Sequence, residues 1–319
     1  YRISKATQRK VLQRAKQLNF RPNYFAKALN LRRTGVIGIV FPNVFEPFMS
    51  EVVKGIEDVL YPADYTMALS TSRFDRQLEQ RILEQMCYRG VDGILLVFNA
   101  PFRGQAYDYS HLHALLRQDM PVVFIDRTLH GGRAPCVLQN DHDGAYQATD
   151  ALIRAGCRHV AYVSLDIDVE TIRARHAGYC AALAAHNRKP SPRHRILLDR
   201  RDPGASDLST ALDRLMASRT PPDGFFVTTN GLSYKLRYLL RRRGLTLNKD
   251  VRIAKFGADP DYHASGMYCV EQPHVAMGQA AARTVLALLD GDADAVPRRT
   301  VLESTLRECS DDMLTKEMQ

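Results

Sequence analysis

The sequence has no run of about 18 consecutive apolar residues, the length that a membrane-spanning helix needs. It begins with a basic, helical stretch and lacks the apolar segment and small-residue cleavage site of a signal peptide. These absences predict a cytoplasmic protein without membrane spans. With 319 residues and 45% hydrophobic composition, the chain can form one or two domains with hydrophobic cores.

Motifs of the common enzyme classes are also absent. No GxxxxGKS, GxxxxGKT or GxGxxG follows a predicted strand, and no GxSxG is present. The closest histidines, His111 and His113, have no neighbours that would complete a metal site. The six cysteines lie far apart without a CxxC pair, which favours reduced thiols over metal binding or disulfides. We therefore expect no enzyme, no bound metal and no cofactor.

Acidic residues are absent from residues 1–34, which contain ten Lys or Arg residues. The whole chain has 44 basic and 35 acidic residues, so the remainder holds 34 basic and 35 acidic ones. The net charge of +9 therefore lies entirely in the opening tenth of the chain.

This basic segment has the pattern of two short helices. Ser4 is placed as an N-cap, and Asn19 ends the first helix. Pro22 breaks the chain, and Asn23 then caps a short helix over residues 24–29. The apolar face of the first helix consists of Ala6, Val11, Leu12, Ala15 and Leu18. Two helices of one charge sign predict an arm that binds a polyanion, and nucleic acid is the favoured candidate.

From Gly35 onward, predicted strands alternate with predicted helices. The apolar run VIGIVF (36–41), for example, is typical of a strand buried on both faces. Further strands are predicted at 65–70, 91–97, 121–126, 133–139, 159–165, 195–198, 224–230, 251–257, 267–273 and 299–307. Helices are predicted at 46–61, 76–89, 110–118, 143–155, 171–187, 205–218, 233–243 and 275–290. This order predicts an α/β fold of two doubly wound, Rossmann-like lobes that share about ten strands. Its ligand is expected in a cleft between the sheets, at the carboxyl ends of strands.

An ordered series of sequence runs extends over almost the whole chain. The runs are ISKATQRKVLQRAKQLNFRPNYFAKAL (3–29), RRTGVIGIVFPNVFEPF (32–48), VDGILL (91–96), PVVFIDR (121–127), NDHDGAYQATDALIRAGCRHVAYV (140–163), RARHAGYCAAL (173–183), VTTNGLSYKLRYLLRRRGL (227–245) and VEQP (270–273). In this series the chain resembles the lactose/galactose-repressor (LacI/GalR) family of bacterial transcriptional regulators. It is most similar to the fructose (catabolite repressor/activator) branch, which shares the run Asp126-Arg127-Thr128-Leu129.

The resemblance implies a role for the basic segment in DNA binding. Members of the family begin with two helices of a helix-turn-helix, and Tyr1 corresponds to the start of the third helix. Their hinge helices enter the minor groove as a pair, where Leu29 would be an apolar wedge between base steps. Packing against the core is the alternative role for Leu29. The residues implied as phosphate contacts, or otherwise as a solvated basic face, are Arg21, Asn23, Lys27 and Arg32.

The resemblance also implies the residues of an effector site. Arg175 occupies the position of the family's effector-binding arginine, whose planar fork can bind hydroxyls, a carboxylate or a phosphate. Asn230 matches a ligand-contacting asparagine. Asp126 is an acceptor for sugar hydroxyls or a capping or hinge residue, and Gln272 contacts the ligand or serves the hinge. Phe48 and Phe45 form the wall of the cleft or pack in the core. The other implied contacts are Asn43, Arg73 and Thr171.

Two positions depart from the pattern of sugar-binding members, which commonly carry Asp where this chain has Gly257 and Gly231. Loss of a carboxylate removes an acceptor for sugar hydroxyls and also removes repulsion against an anion. We therefore expect a phosphorylated sugar or another small anion as the effector. Its cationic partners would be Arg175 and either Arg73 or Arg127.

The resemblance divides the chain into a partial headpiece with hinge helix (1–34), an N-terminal lobe (35–128 plus 273–292) and a C-terminal lobe (129–272 plus 293–319). Crossovers are expected near 128–135, 268–273 and 291–297. The implied partners are operator DNA and a second copy of the chain in a homodimer or tetramer, with helix 46–61 in the dimer surface. Effector binding would change operator affinity through the spacing of the hinge helices. The alternative is a solute-binding protein of a transport system, which has the same core fold but needs a signal peptide and no basic segment.

Overall fold

A computed structural model describes residues 4–18, 33–44, 47–101, 107–118, 120–199, 205–257 and 267–309. Its strands form two six-stranded sheets, as the alternation of strands and helices predicted. The first sheet contains β1 (Val36–Phe41), β2 (Thr66–Thr71), β3 (Gly93–Leu96), β4 (Val122–Ile125), β5 (Cys136–Gln139) and β11 (Arg299–Leu302). The second contains β6 (Val160–Leu165), β7 (Arg195–Leu198), β8 (Gly224–Val227), β9 (Arg252–Phe256), β10 (Met267–Glu271) and β12 (Thr305–Cys309).

The strand order in the first sheet is β11-β5-β4-β3-β1-β2, and all of its pairs are parallel. The order in the second sheet is β12-β10-β9-β8-β6-β7, in which only the β10–β12 pair is antiparallel. Parallel strands require long crossovers, and helices provide them here.

The helices, numbered among the described residues, cover both faces of each sheet. They are α1 (Lys5–Gln17), α2 (Pro47–Leu60), α3 (Arg76–Tyr88), α4 (Ser110–Leu115), α5 (Asp141–Arg154), α6 (Glu170–Ala185), α7 (Ala205–Met216), α8 (Asn230–Arg242) and α9 (His274–Leu289), with short 3-10 turns at Pro192–His194 and Ala293–Ala295. Within the described residues, none of them is long and apolar enough to span a membrane.

Helix α1 begins as the sequence predicted, because the Ser4 hydroxyl accepts a hydrogen bond from the Thr7 backbone N–H at 3.2 Å. Its predicted apolar face does not lie in a core, since Val11 is 62% exposed and Leu18 is 65% exposed. The predicted second helix at 24–29 lies outside the described residues.

The strands are buried because each sheet has a hydrophobic cluster on both of its faces. In β1, Ile37, Ile39 and Phe41 face one cluster, and Val40 faces the other. The second sheet is enclosed in the same way. The edge strands β2 and β11 are exceptions, since they consist of half-buried and exposed residues. Apolar runs without polar alternation are what two-sided burial requires.

The positions of the crossovers correct the predicted lobe boundaries. Strand β11 pairs with β5, and β5 pairs with β4, so 136–139 and 299–302 belong to the first sheet and not to the C-terminal lobe. The predicted end strand at 299–307 is two strands, one in each sheet, separated by two residues. The chain therefore crosses between the lobes at Asn140, at Gln272-Pro273 and at Glu303-Ser304. Asn140 and Glu303 are in contact, with Asn140 Nδ2 donating to Glu303 Oε2 at 3.2 Å.

Helices α2 and α9 pack closely on the first sheet because each has a glycine at the contact. A Cβ added to Gly278 would lie 2.1 Å from the backbone oxygen of Val52. A Cβ added to Gly55 would lie 2.0 Å from that of Val275. Since backbone atoms cannot move aside as a flexible side chain can, both positions require glycine.

We predict that Gly278→Ala lowers the free energy of unfolding by about 1–3 kcal/mol, because the added methyl group forces the two helices apart. Gly231→Ala is the matched control, since no atom lies within 4 Å of its added Cβ. Its unfolding free energy should be unchanged or raised, because alanine restricts the unfolded chain. Urea unfolding measures both variants, and equal stabilities would contradict the predicted contact.

Candidate functional site

Arg175 lies at the junction of the two lobes, on the second turn of α6, and is 6% exposed. Its Nε donates to Asp141 Oδ1 at 2.7 Å, and its Nη1 donates to the backbone oxygen of Thr228 at the end of β8. The guanidinium carbon is 3.8 Å from the centre of the Phe256 ring. These contacts fix the plane of the guanidinium group and leave Nη2 outside both hydrogen bonds.

Asp141, the partner of Arg175, connects the two lobes. It begins α5, directly after the crossover at Asn140, and Gln139 Nε2 at the end of β5 donates to its Oδ1 at 3.1 Å. Burial raises the pKa of the Asp141 carboxyl, and the adjacent Arg175 works against that rise. The ion pair therefore joins α5 and α6 within the second lobe, and Asp141 connects it to Gln139, the last residue of β5 in the first lobe.

Asp126 follows β4 with a φ of 62°, in the left-handed region that Asp and Asn tolerate better than most residues. Burial raises its pKa to about 7, and the neighbouring charge of Asp141 contributes. Near neutral pH the Asp126 carboxyl is therefore divided between a protonated form, which can donate, and a charged form that only accepts.

Lys255 is fully buried on β9, and its Nζ donates to Asn230 Oδ1 at 2.5 Å. The Nζ atom also lies 5.8 Å from the centre of the Tyr234 ring. Gly257 follows β9 with a φ of 97°, and a Cβ there would lie 3.1 Å from Cβ of Asn230. The glycine in place of the expected Asp thus allows Asn230 to approach the end of β9 and to contact the lysine.

A cavity of about 290 Å³ is lined by residues of both lobes, and, Arg127 apart, none of the predicted effector residues is in this lining. The lining residues are Phe98, Pro101, Tyr107, Tyr109, Arg127, Thr128, Leu129, His130, Asp168, Val169, Glu170 and Arg173. Arg127 is 8% exposed, its Nη1 donates to the backbone oxygen of Phe98, and its Nε has no hydrogen-bond partner among the described residues. The cavity therefore combines aromatic walls with one buried guanidinium group.

The two arginines considered as the second cationic partner differ in position. Arg127 lines the cavity, whereas Arg73 is exposed at the end of β2, on the edge of the first sheet. Burial lowers the pKa of Arg127, but Asp126 and Glu79 raise it, so the group keeps its charge.

The remaining predicted effector residues lie after strands or on the helices that follow them. Thr171 is buried in the first turn of α6, and Asn43 is half-buried after β1. Gln272 lies on the second crossover, and the Phe48 ring packs edge-on against His274 with centres 4.8 Å apart. The residues outside the described part of the chain are Phe45 and the predicted DNA contacts Arg21, Asn23, Lys27, Leu29 and Arg32. Their roles stay predictions.

Glu170 also belongs to the junction, although no motif in the sequence indicates it. It is the first residue of α6, and it accepts hydrogen bonds from Thr128 Oγ1 and from Arg299 Nη2, the latter at 3.0 Å. Both donors belong to the first lobe, so Glu170 links the lobes at the cavity. The sequence analysis did not name Lys255, although a lysine inside the apolar run VRIAKFG could have indicated it. Glu170 and Asp141 could be found only from the fold.

Comparison with known proteins identifies the family. Residues 34–254 match the family model for periplasmic binding proteins and the sugar-binding domain of the LacI family. The HTH-type transcriptional regulator RegA of Clostridium saccharobutylicum is 26% identical over 293 residues, which cover 90% of this chain and 85% of RegA. Catabolite control protein A of Priestia megaterium is 26% identical over 256 residues, 80% of this chain and 74% of that protein. The solved structure of transcription regulator CcpA of Lactococcus lactis has the same fold, with a TM-score of 0.74 at 21% identity over 86% of this chain and 98% of that chain.

We predict that Asp126→Asn changes how stability depends on pH. The folded protein holds a proton on Asp126 up to about pH 7, whereas an aspartate in the unfolded chain releases it near pH 3.9. The stability gained from this proton is present below about pH 4 and is lost as the pH rises through about 7. The D126N variant should therefore gain about 4 kcal/mol relative to wild type between those limits.

Urea unfolding at a series of pH values measures this difference. Asp143→Asn is the control, because hydrogen bonds from His142 and Asn140 lower the pKa of the exposed Asp143 carboxyl. Its contribution is lost as the pH falls, which is the opposite direction. Stability curves of wild type and D126N that stay parallel would contradict the assignment.

Proposed function

The chain belongs to the LacI family and is a transcriptional regulator, and we propose that it binds operator DNA as a homodimer under the control of a small effector. The effector would lie between the lobes, at the cluster around Arg175 and in the cavity. The observation that carries this proposal is a buried guanidinium group held at the junction where the chain crosses between two sheets. A ligand at that place contacts both lobes, as an effector that changes their relative orientation must.

The charges at the site favour an anionic, sugar-type ligand. Arg175, Arg127 and Lys255 bring three buried basic groups to the junction. The nearby carboxylates are already engaged, because Asp141 pairs with Arg175 and Glu170 accepts from Arg299. Asp126 is partly protonated near neutral pH and repels an anion less than an ordinary aspartate would. A phosphorylated sugar satisfies both the basic groups and the hydroxyl-binding amide of Asn230.

Residues 1–34 would supply the contact with DNA. The described residues of α1 carry Lys5, Arg9, Lys10 and Arg14 and no acidic side chain, and none of these four is buried. In the proposed complex, Leu29 acts as the minor-groove wedge, and Arg21, Asn23, Lys27 and Arg32 contact phosphates. Each phosphate contact should steepen the dependence of log K on log salt by about 0.9.

A solute-binding protein of a transport system is the alternative, since the family model also describes periplasmic binding proteins. The basic helix α1 has no function in such a protein, and the relatives compared above are named as regulators or control proteins. The regulator is therefore the better-supported function.

We predict that sugar phosphates raise the melting temperature of the chain. A ligand at about a hundred times its Kd stabilises a protein by about 2.7 kcal/mol, which a thermal-shift assay detects. The panel pairs glucose 6-phosphate, fructose 1-phosphate and ribose 5-phosphate with their neutral sugars and with inorganic phosphate. Arg175→Lys should reduce the shift, because lysine keeps the charge but lacks the planar fork.

Arg154→Lys is the control for this substitution, because Arg154 is exposed, pairs with Asp150 and is not among the residues that line the cavity. A shift with neutral sugars alone would reject the anionic effector and leave a regulator that binds hydroxyl groups. No shift with any member of the panel would reject the sugar-type effector.

A further inference from the structure

The imidazole of His274 is 5% exposed and stands at the junction described above, on the first residue of α9. The chain reaches it directly from the Gln272-Pro273 crossover. Its Nδ1 lies 2.8 Å from Glu51 Oε2 of α2, and its ring packs edge-on against Phe48 of the same helix. The second ring nitrogen, Nε2, takes no part in the hydrogen bond to Glu51.

The contact with Glu51 determines which nitrogen carries the proton. A carboxylate can only accept, so Nδ1 must donate, and Nδ1 is the protonated nitrogen of the neutral ring. Burial lowers the pKa of His274, as does the positive charge of Arg175, while Glu51 acts in the opposite direction. In a neutral ring with the proton on Nδ1, Nε2 has a lone pair and no hydrogen.

No described residue supplies a partner for this lone pair. Nε2 of His274 is buried and makes no hydrogen bond with any described residue. Buried polar atoms are nearly always satisfied, and those that are not are commonly explained by a function or by a bound molecule. The ring directly follows the Gln272-Pro273 crossover, where the chain passes between the two sheets, so the missing partner would come from the cleft between the lobes.

We propose that His274 Nε2 accepts a hydrogen bond from a hydroxyl group of the effector, and that Glu51 gives the ring this role by holding the proton on Nδ1. This inference rests on the proposed function, and it adds to it the ligand class: a polyhydroxy anion with a hydroxyl donor beside its anionic group. Arg175 contacts the anionic group and can only donate. Nε2 of His274 can only accept while the proton is on Nδ1, so Arg175 and His274 together select a ligand with both kinds of group.

The same contact would transmit binding to the packing of the first lobe. His274 hydrogen-bonds to Glu51 and packs against Phe48 in the first two turns of α2. Helices α2 and α9 also approach each other closely at Gly55 and Gly278. A ligand that holds the His274 ring therefore acts on the helix pair that covers the first sheet.

The tautomer can be measured without any ligand, from the ¹⁵N chemical shifts of the imidazole in histidine-labelled protein. Wild type should show a protonated Nδ1 and an unprotonated Nε2 for His274, assigned by its loss in His274→Asn. Glu51→Ala should move the proton to Nε2, because the acceptor at Nδ1 is gone. A wild-type ring with its proton on Nε2 would overturn the proposal.

Binding of ribose 5-phosphate, fructose 1-phosphate and glucose 6-phosphate by calorimetry tests the ligand contact. His274→Asn places its amide near Nδ1 and keeps the bond to Glu51, while His274→Gln places its amide oxygen near Nε2. We expect Kd to rise about tenfold in H274N, the effect of one lost buried hydrogen bond, and to stay near wild type in H274Q. Glu51→Ala should also weaken binding, although Glu51 contacts the ligand only through the ring.

Each outcome decides one of the two claims. Equal affinity of wild type and H274N overturns the His274 contact and leaves the proposed function in place. A wild-type protein that binds none of the three sugar phosphates rejects the phosphosugar effector, and the tautomer of His274 then decides whether Nε2 is an acceptor. Circular dichroism shows whether H274N is folded. If it is not folded, the affinity of Glu51→Ala is compared with that of wild type instead.

Discussion

A buried ion pair between Arg175 and Asp141 is the interaction on which the junction of the two lobes depends. It lies where the chain leaves the first sheet, and its members also bind Gln139 at the end of β5 and the backbone of Thr228 at the end of β8. Breaking a buried pair by removing one member costs about 3–5 kcal/mol, because the other charge stays buried without compensation. The pair therefore orients the guanidinium group that we propose as the effector contact, and the hydrogen bond from Gln139 to Asp141 links this pair to the first lobe.

The crossovers give this junction its capacity to move. The chain passes between the sheets at Asn140, Gln272-Pro273 and Glu303-Ser304, and the first and third of these are in contact. On the open side, the lobes are linked by a few polar contacts at Glu170 and by a small apolar cluster around Ile167. A fold that is continuous at three short connections and lightly linked elsewhere is suited to hinge rotation by a ligand.

The sequence predicted the fold well because strands buried on both faces are continuous apolar runs, and these runs alternate with segments whose apolar residues have helical spacing. It misplaced the lobe boundaries because sheet membership depends on pairing between distant strands, and residues 299–307 look like one extended run. Arg175 and Asn230 were named from the family resemblance, and the structure brings both to the junction. Lys255, Glu170 and His274 acquire their roles from contacts across about 25, 129 and 223 positions of the chain, which no local pattern contains.

Ligand binding at this junction should change the affinity of the chain for DNA. The most direct test is the fluorescence anisotropy of a labelled duplex titrated with the full chain, with and without the sugar phosphate that raises its melting temperature. We expect that ligand to change the DNA affinity, or the steepness of its salt dependence, in the wild-type protein. A ligand that binds at the junction and leaves both quantities unchanged would contradict the account.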